Sequence, residues 1–341
     1  MRDYFIRRFL LIIPTLIGAT LLVFALTRIL PGGPIERALA EARMANPNSG
    51  GSRGSASESS ALSDDQIQKL KEYYGFDKPW LQAYFIWLGR VCKGDLGESF
   101  KYNEPVWDII KSRLPISTFY GVATAIITYF ICLPLGVFKA LRHRSFFDTA
   151  SSVLVFFGYA IPGFALGLLL LVLLAYPPRE WFPTGGFVSD NYEDLGFFAR
   201  IGDVVSHSFL PLTCYVVGSF AMLTMLMKNN LMDNLAADYI RTAIAKGRSF
   251  RGAVWNHAIR NAFVPIATSL GGILSVFVTG SFLIEYIFDI DGIGMLGYKS
   301  LIDRDFPIVM GILLLSSFLM MAGNILSDVF VALVDPRVKF K

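Results

Sequence analysis

The sequence predicts an all-α integral membrane protein with six transmembrane helices. Hydrophobic residues make up 54% of the 341-residue chain and charged residues only 17%, which is too apolar for a soluble domain of this length. The apolar residues gather into uncharged runs near the roughly 20 residues with which a helix crosses the hydrocarbon core. The predicted spans are 9–27, 114–138, 149–176, 208–227, 262–284 and 306–327.

The first of these runs is predicted to be an uncleaved membrane anchor. Arg2, Arg7 and Arg8 precede it, as they would a secretory signal. Its apolar run is longer than a signal core of roughly 7 to 15 residues, and it leads to Arg28 and ILPGGP rather than to a small-x-small cleavage site. Residues 1–30 are therefore assigned to the N-terminal cytoplasmic end and the first transmembrane helix.

Residues 31–113 are predicted to form a small helical extracytoplasmic subdomain between the first two spans. Its stretch 44–60, MANPNSGGSRGSASESS, is rich in Gly and Ser and is expected to be mobile. Ser63 and Gln66 fit a capping box, and Gly75 stands where that helix would end. The aromatic, amphipathic segment that follows, FDKPWLQAYFIWLGRVCKGDLGESF, is suited to the membrane-water interface or to a docked partner.

Residues 114–341 are assigned to a five-helix core, whose orientation follows from the Lys and Arg residues in the short loops. With the N-terminus in the cytoplasm, fifteen basic residues lie inside and four in the short outside loops. Both termini are therefore predicted to be cytoplasmic, and so is a polar, basic segment at 228–261. The fifteen inside residues are Arg2, Arg7, Arg8, Lys139, Arg142, Arg144, Lys228, Arg241, Lys246, Arg248, Arg251, Arg260, Arg337, Lys339 and Lys341.

Small and polar residues within the spans leave two interpretations open. Glycines and a proline interrupt the third span, and small residues recur in the fifth; both patterns suit close helix packing, and both suit the wall of a substrate pathway. Carboxylates at the outer ends of the last two spans could attract a cationic group or could simply be solvated. The candidate pathway residues are Gly158, Tyr159, Pro162, Gly271, Thr279, Ser281, Glu285 and Asp289.

Several chemical functions are excluded by motif. No Walker A loop, no G-x-S-x-G elbow and no H-E-x-x-H helix occurs in the sequence, so we predict a protein without a catalytic site or a bound cofactor. Gly292, Gly294 and Gly297 spell G-x-G-x-x-G, but they fall in a predicted outside turn rather than in a βαβ unit. The three cysteines and three histidines are scattered, which predicts no metal site, and no basic tract with interleaved aromatics suggests nucleic acid.

The basic segment 228–261 is predicted to form a pair of helices facing the cytosol. Asp233 or Asn234 can cap the first helix, Gly247 can end it in a left-handed conformation, and Ser249 can start the second. The segment either lies on lipid, with its basic residues touching phosphates, or presents its small residues to the groove of a soluble partner.

Within this segment, Arg241-Thr242-Ala243, three residues and then Gly247 resemble the EAA loop of binding-protein-dependent ABC importer permeases. Arg241 replaces the usual Glu, and HAIRN stands where I-x-L-P is usual; both departures are similar to the oligopeptide and nickel branch. The resemblance extends along nearly the whole chain, through YGFDKPWLQAY, GDLGESF, RLPIS, IEYIFDIDGIGMLGY, RDFPIVMGI and NILSDVFVALVDPR. Finer features, among them PGGPIERALA, YAIPGF, GFVSDNYEDL and TMLMKNNLMD, are similar to the YejB-type peptide permeases.

The resemblance implies the type I ABC importer permease fold and a place in the bacterial inner membrane. It implies import of peptides, including peptide-nucleotide antibiotics of the microcin C kind, by alternating access. Partners would be a homologous second permease forming a heterodimer, cytoplasmic ABC ATPase subunits holding ATP and Mg²⁺, and a periplasmic peptide-binding protein, in a lipid bilayer. The residues that would couple to the ATPase are Asp238, Arg241, Thr242, Ala243, Lys246 and Gly247. The alternative is a secondary active transporter without an ATPase partner.

Overall fold

The computed structural model describes residues 2–29, 68, 77–269 and 281–334. Within these ranges the regular structure is helical, and the one pairing of extended backbone is an isolated bridge between Glu98 and Pro105. The prediction of an all-α protein is confirmed for the described part of the chain. The predicted mobile stretch 44–60 and the predicted end of a helix at Gly75 lie outside it.

The helices differ widely in length, and the longest of them run through polar as well as apolar sequence. They are α1 (Arg2–Ile29), α2 (Trp80–Val91), α3 (Val106–Leu141), α4 (Phe146–Ala160), α5 (Gly163–Leu170), α6 (Phe197–Ala236), α7 (Asp238–Ala245), α8 (Phe250–Ala253), α9 (Ile259–Ala262), α10 (Val264–Ser269), α11 (Phe282–Ile287), α12 (Ile293–Ile302) and α13 (Phe306–Val334). Turns of π-helix at Leu171–Ala175 and Val254–Ala258 follow α5 and α8, and a 3₁₀ turn lies at Tyr192–Asp194.

Within the described residues, four helices are long and apolar enough to cross a membrane: those at Ile6–Arg28, Val106–Leu141, Phe197–Ala236 and Phe306–Leu333. They contain the first, second, fourth and sixth predicted spans. The helices extend past the predicted runs because a count of apolar residues stops at the first charge, whereas the helix continues. The 40 residues of α6 would measure about 60 Å, twice the hydrocarbon thickness, so its ends lie beyond the membrane core.

The third predicted span is a broken one. Phe146–Ala160 and Gly163–Ala175 together pass the same test but are bent by 92°. Ile161, which precedes Pro162, has an extended backbone (ψ 120°), because a proline disfavours the helical conformation in the residue before it. The predicted interruption is confirmed. Residues 270–280 of the fifth predicted span, 262–284, lie outside the described part, so the count of six stays a prediction.

The chain divides into two compact units, of which the larger holds Met1–Ile12, Arg113–Leu296 and Ser316–Lys341. One core cluster of this unit brings residues of α3, α6 and α7 together with the helices that follow α7. Its buried members are Cys132, Ala140, Leu223, Met227, Leu231, Ile240, Ala253, Ala258, Ala262 and Ile266. A second cluster packs Tyr120 of α3 and Leu210 and Cys214 of α6 against Phe288.

Gly136 of α3 permits the closest approach of α3 to α6. A Cβ atom added to it would lie 2.7 Å from the Met227 Cβ and 2.8 Å from the Thr224 carbonyl oxygen. Both neighbours belong to the main chain of α6 or to its first side-chain atom, so neither can turn away. The distance between these two helices therefore depends on the missing side chain.

The smaller unit holds Ile13–Ser112 and Gly297–Leu315. Tyr84 of α2 is buried against Phe24 of α1, and its hydroxyl oxygen lies 3.0 Å from the Thr20 Oγ1 and 3.1 Å from the Ile17 carbonyl oxygen. The face of α2 that does not pack in this cluster exposes apolar residues, including Phe85. This helix lies within the aromatic segment predicted after Gly75.

Asp305, directly before α13, organises the GDLGESF loop of the same unit. Its carboxylate is fully buried and accepts hydrogen bonds from the Ser99 hydroxyl, from the Phe100 N–H at 3.1 Å and from the Lys101 N–H at 3.2 Å. Asp303 forms an ion pair with the Lys101 ammonium group. Asp305 is therefore neither solvated nor open to a substrate.

The close approach at Gly136 yields a stability test. Gly136→Ala should lower the free energy of unfolding by about 1–3 kcal/mol, because the added methyl group overpacks the contact with Met227 and Thr224. Gly218→Ala in α6 is the matched control, since its added Cβ meets nothing within 4 Å, and it should be neutral or slightly stabilising. Thermal unfolding of the purified protein in detergent measures both, and equal midpoints for the two variants would contradict the packing argument.

Candidate coupling and transport site

The short helix α7, Asp238–Ala245, carries the residues that resemble the EAA loop. It starts after Ala237, whose backbone is extended (ψ 147°) and whose side chain caps nothing. The prediction that Asp233 or Asn234 caps this helix is wrong, because both lie in the last turns of α6. The Asn234 side-chain amide donates back to the Asn230 carbonyl oxygen at 2.8 Å, and its oxygen accepts a hydrogen bond from the Tyr239 hydroxyl group of α7. Asn234 therefore contacts a side chain of α7 but does not cap its backbone.

The end of α7 is as predicted. Gly247 has φ +86°, the left-handed conformation that glycine adopts without strain. Its N–H donates to the Ile244 carbonyl oxygen at 2.9 Å, and the Arg248 N–H donates to the Ala243 carbonyl oxygen at 3.1 Å. These two hydrogen bonds form a Schellman motif, which closes the helix and fixes the direction of the chain after it.

A second helical stretch begins at Ser249, also as predicted. Its Oγ accepts a hydrogen bond from the Gly252 N–H at 3.3 Å, which is a side-chain N-cap. From there α8, a π-helical turn, α9 and α10 lead toward the predicted fifth span. Within the segment, α7 and α8 are therefore separated by residues 246–249, of which Gly247 closes α7 and Ser249 caps α8.

The inner face of α7 is held by the larger unit's own core. Ile240 is 2% exposed and belongs to the cluster that includes Leu231, Ala253 and Ala258. Ala243 is half-buried and packs against the same cluster. The position and orientation of α7 are thus set by the protein itself.

The outer face of α7 is accessible. The side chains of Asp238 and Arg241 are 95% and 77% exposed, and their Oδ1 and Nη1 atoms lie 3.8 Å apart. Thr242, Lys246 and Gly247 are also exposed. Apolar side chains are exposed beside them, which is unusual for a surface in water; they are Tyr239, Ile244, Phe250 and Trp255.

Three of the candidate pathway residues lie at the bend of the third span or directly before it. A Cβ atom on Gly158 would lie 3.0 Å from the Val217 Cγ1, so this glycine serves close packing against α6. Tyr159 is exposed, and Pro162 marks the 92° bend. Gly271 and Thr279 lie outside the described residues.

The other candidates lie around α11, whose Glu285 is 2% exposed. Its Oε2 accepts a hydrogen bond from the Met295 N–H at 2.6 Å. A Cβ atom on Gly292 would lie 2.6 Å from that oxygen, and one on Gly294 would lie 3.0 Å from it. The G-x-G spacing therefore makes room for a buried carboxylate, a role that sequence reasoning missed although the acid stands seven residues before the first glycine.

The neighbours of Glu285 complete a small polar network. The Ser281 N–H donates to the Tyr215 hydroxyl oxygen at 3.0 Å, and the ring of Tyr215 stacks on that of Tyr120 at 5.9 Å. Glu285 follows the predicted fifth span, and burial raises the pKa of its carboxyl to about 7, although the hydrogen bond from the Met295 N–H opposes the shift. Asp289 adopts a left-handed φ of 47° in the turn that follows.

One charged cluster was not recognised from the sequence. Lys139 and Lys228 were counted only as basic residues of inside segments, yet both are buried with their ammonium groups on Asp148. No group of three or more His, Cys, Asp or Glu side chains that could hold a metal ion occurs among the described residues.

Comparison with known proteins agrees with this architecture. The family model described as "Binding-protein-dependent transport system inner membrane component" matches residues 132–340. The chain is 38% identical over its whole length to 99% of the peptidoglycan transport system permease protein YejB of Agrobacterium fabrum, and 37% identical to the whole inner membrane ABC transporter permease protein YejB of Escherichia coli O157:H7. It is 34% identical, again over both whole chains, to the oligopeptide transport system permease protein AppB of Bacillus subtilis.

The match confirms the resemblance of the chain to binding-protein-dependent ABC importer permeases. Together with the membrane-spanning helices it indicates a multi-pass inner membrane protein that acts as a transport subunit. The chain belongs to the family of binding-protein-dependent transport system inner membrane components.

Proposed function

We propose that this chain is one of two permease subunits of an ABC importer that moves peptides from the periplasm into the cytoplasm. The names of its relatives support a peptide cargo, since they include oligopeptide and dipeptide permeases. Modified peptides, including peptide-nucleotide antibiotics of the microcin C kind, fall within the same proposed cargo. The chain itself contributes no catalytic group and binds no cofactor in this scheme.

The observation that carries the proposal is the outer face of α7. The buried Ile240 fixes the inner face of α7, and Gly247 closes its C-terminal end. The helix therefore moves as a rigid element, and a force applied to it reaches the rest of the larger unit. The exposed Ile244, Phe250 and Trp255 give a partner apolar contacts. We assign ATPase coupling to Asp238, Arg241, Thr242, Ala243, Lys246 and Gly247.

An ATPase subunit fits this surface better than lipid does. Asp238, at the start of α7, is 95% exposed and would be repelled by an anionic leaflet. The orientation of α7 is set by the buried Ile240 rather than by a bilayer surface. A protein groove can satisfy the exposed Asp238 and Arg241 and the apolar residues together.

The proposed topology has both termini and α7 in the cytoplasm, because fifteen basic residues fall on that side against four in the short outside loops. A periplasmic binding protein delivers a peptide to this chain and a homologous permease. Two ABC ATPase subunits close on ATP and Mg²⁺ and move the coupling helices. The spans then rock and open the pathway to the other side.

The pathway wall is proposed to include the bend of the third span and the fifth span. Pro162 marks the bend, Gly158 and Tyr159 lie directly before it in α4, and Gly271, Thr279 and Ser281 supply small and weakly polar groups. Glu285 of α11 and Asp289 of the turn after α11 lie at the end of this wall. Because Glu285 is already held by the Met295 N–H, its part is to shape the turn.

The end of α7 provides the first test. Gly247→Val should abolish peptide-stimulated ATP hydrolysis while the chain still inserts, because a β-branched residue at φ +86° costs of order 1–3 kcal/mol and would unwind the Schellman motif. The measurement is the ATPase rate of the reconstituted complex with binding protein and peptide. Gly94→Val is the matched control, since Gly94 has φ +82° but lies next to α2, and it should preserve stimulation.

Full stimulation in the Gly247→Val complex would contradict the coupling assignment. Peptide uptake driven by an ion gradient, in a complex that has no ATPase subunit, would contradict the proposed function as a whole.

Two isoleucines on α7 provide the second test. Ile244→Ser should weaken ATPase binding about tenfold with little loss of stability, because this side chain is 42% exposed and would pack in the partner's groove. Ile240→Ser should instead lower the stability of the permease, because it buries a hydroxyl group in the core. Co-purification titrations and thermal unfolding separate the two effects. Equal ATPase affinity for the Ile244→Ser and unaltered chains would show that this face is not the contact.

A further inference from the structure

Asp148, in the first turn of α4, joins three helices of the larger unit. The Lys228 ammonium group of α6 donates to its Oδ1 at 2.7 Å and to its Oδ2 at 2.8 Å. The Lys139 Nζ at the end of α3 lies 3.2 Å from Oδ1, and the Arg144 N–H donates to Oδ2 at 3.1 Å. The side chains of Lys139, Asp148 and Lys228 are 0%, 6% and 9% exposed.

The two lysines depend on this carboxylate to different degrees. Lys139 also donates to the Asp148 carbonyl oxygen at 2.9 Å and to the hydroxyl groups of Ser151 and Ser152, each at 2.8 Å. Among the described residues, the Lys228 ammonium group donates its hydrogen bonds to the Asp148 carboxylate. Lys139 is therefore part of the α3–α4 turn, whereas Lys228 meets that turn only through the ion pair.

Lys228 also stands close to the anchor of the coupling helix. Leu231, three residues further along α6, is fully buried in the same cluster as Ile240 of α7. Residues three apart are neighbours on a helix surface. In the last turns of α6, the lysine of the ion pair therefore lies next to the leucine that packs in the same cluster as α7. Gly136 lets α3 approach α6 at Met227, directly before Lys228.

The carboxylate of the ion pair belongs to the bent third span. Asp148 belongs to α4, which continues to the 92° bend at Pro162. A displacement of α7 that moves the last turns of α6 therefore acts on the first turn of α4. The path runs from Ile240 to Leu231, Lys228 and Asp148, and then along α4.

We infer that the Lys228–Asp148 ion pair is the mechanical joint by which the coupling helix moves the bent third span. The inference rests on the proposed function and adds two positioning residues to it. Both side chains are buried, so they act through the helices that carry them. The joint passes force because a buried, bidentate ion pair resists separation: parting it leaves charges that lack water.

The Lys228–Asp148 ion pair can be removed without unfolding the chain if the remaining buried charges stay balanced. Two ammonium groups share one carboxylate, so Asp148→Asn would leave two buried cations without an anion and is a poor test. Lys228→Met leaves one cation, Lys139, beside one carboxylate. Lys139→Met leaves the same balance but keeps the Lys228–Asp148 pair, which makes it the matched control.

The experiment measures peptide transported per ATP hydrolysed by the complete complex in proteoliposomes. Lys228→Met should lower this ratio about fivefold to tenfold, a usual size for coupling between sites, while ATP hydrolysis continues. Lys139→Met should change the ratio less than about twofold, and Lys228→Arg should restore it, because a guanidinium group also binds a carboxylate in bidentate fashion. Asp148→Glu, which keeps every charge but shifts the carboxylate by one methylene group, should lower the ratio even if Lys228→Met fails to accumulate.

Three results would overturn the joint. The first is an unaltered ratio in Lys228→Met, or in Asp148→Glu if Lys228→Met does not accumulate. The second is an equal fall in Lys228→Met and Lys139→Met, which would show a general effect of charge. The third is a failure of Lys228→Arg to restore the ratio. An unaltered complex without peptide-stimulated ATP hydrolysis would overturn the proposed function itself, and the two failures are thus told apart.

Discussion

The structure depends on one constraint: a polar group that the chain removes from water must find its partner inside the chain. Within a bilayer this constraint makes helices the economical backbone, since they satisfy their own N–H and C=O groups. It also governs the buried carboxylates of this protein. Asp305 and Glu285 are held by main-chain N–H groups, and Asp148 by two lysines and the Arg144 N–H. Each of them fixes a loop, a turn or a helix end.

Local features of the sequence predicted local structure well. Hydropathy located the four continuous spans of the described residues, because the bilayer imposes the length of each run. Gly247 and Ser249 were correctly placed, since a left-handed helix end and an N-cap depend on the residue itself and on neighbours a few positions away. Asn234 was misplaced for the same kind of reason. An asparagine can cap the next helix or bond back within its own, and here the amide donates to the Asn230 carbonyl oxygen while its oxygen accepts from the Tyr239 hydroxyl group.

Partners that are distant in sequence were beyond prediction. Asp148 and Lys228 are 80 residues apart, and Ser99 and Asp305 are 206 apart. Acids at the ends of spans suggest solvation or substrate binding, because nothing in the sequence says which carboxylates the fold will enclose. Gly292 and Gly294 indicate a buried carboxylate only after the structure shows that Glu285 lies against them.

The basic residues of segment 228–261 show that a residue's weight in a topology count does not predict its role in the folded protein. The topology rule weighs Lys228 and Arg241 equally, because translocation senses charge before the fold exists. Folding then buries one and exposes the other. An exposed Arg241 can meet a partner that binds and leaves, since water solvates it between encounters. A buried Lys228 cannot leave its carboxylate without a large desolvation cost, so it suits a contact that must persist while everything attached to it moves.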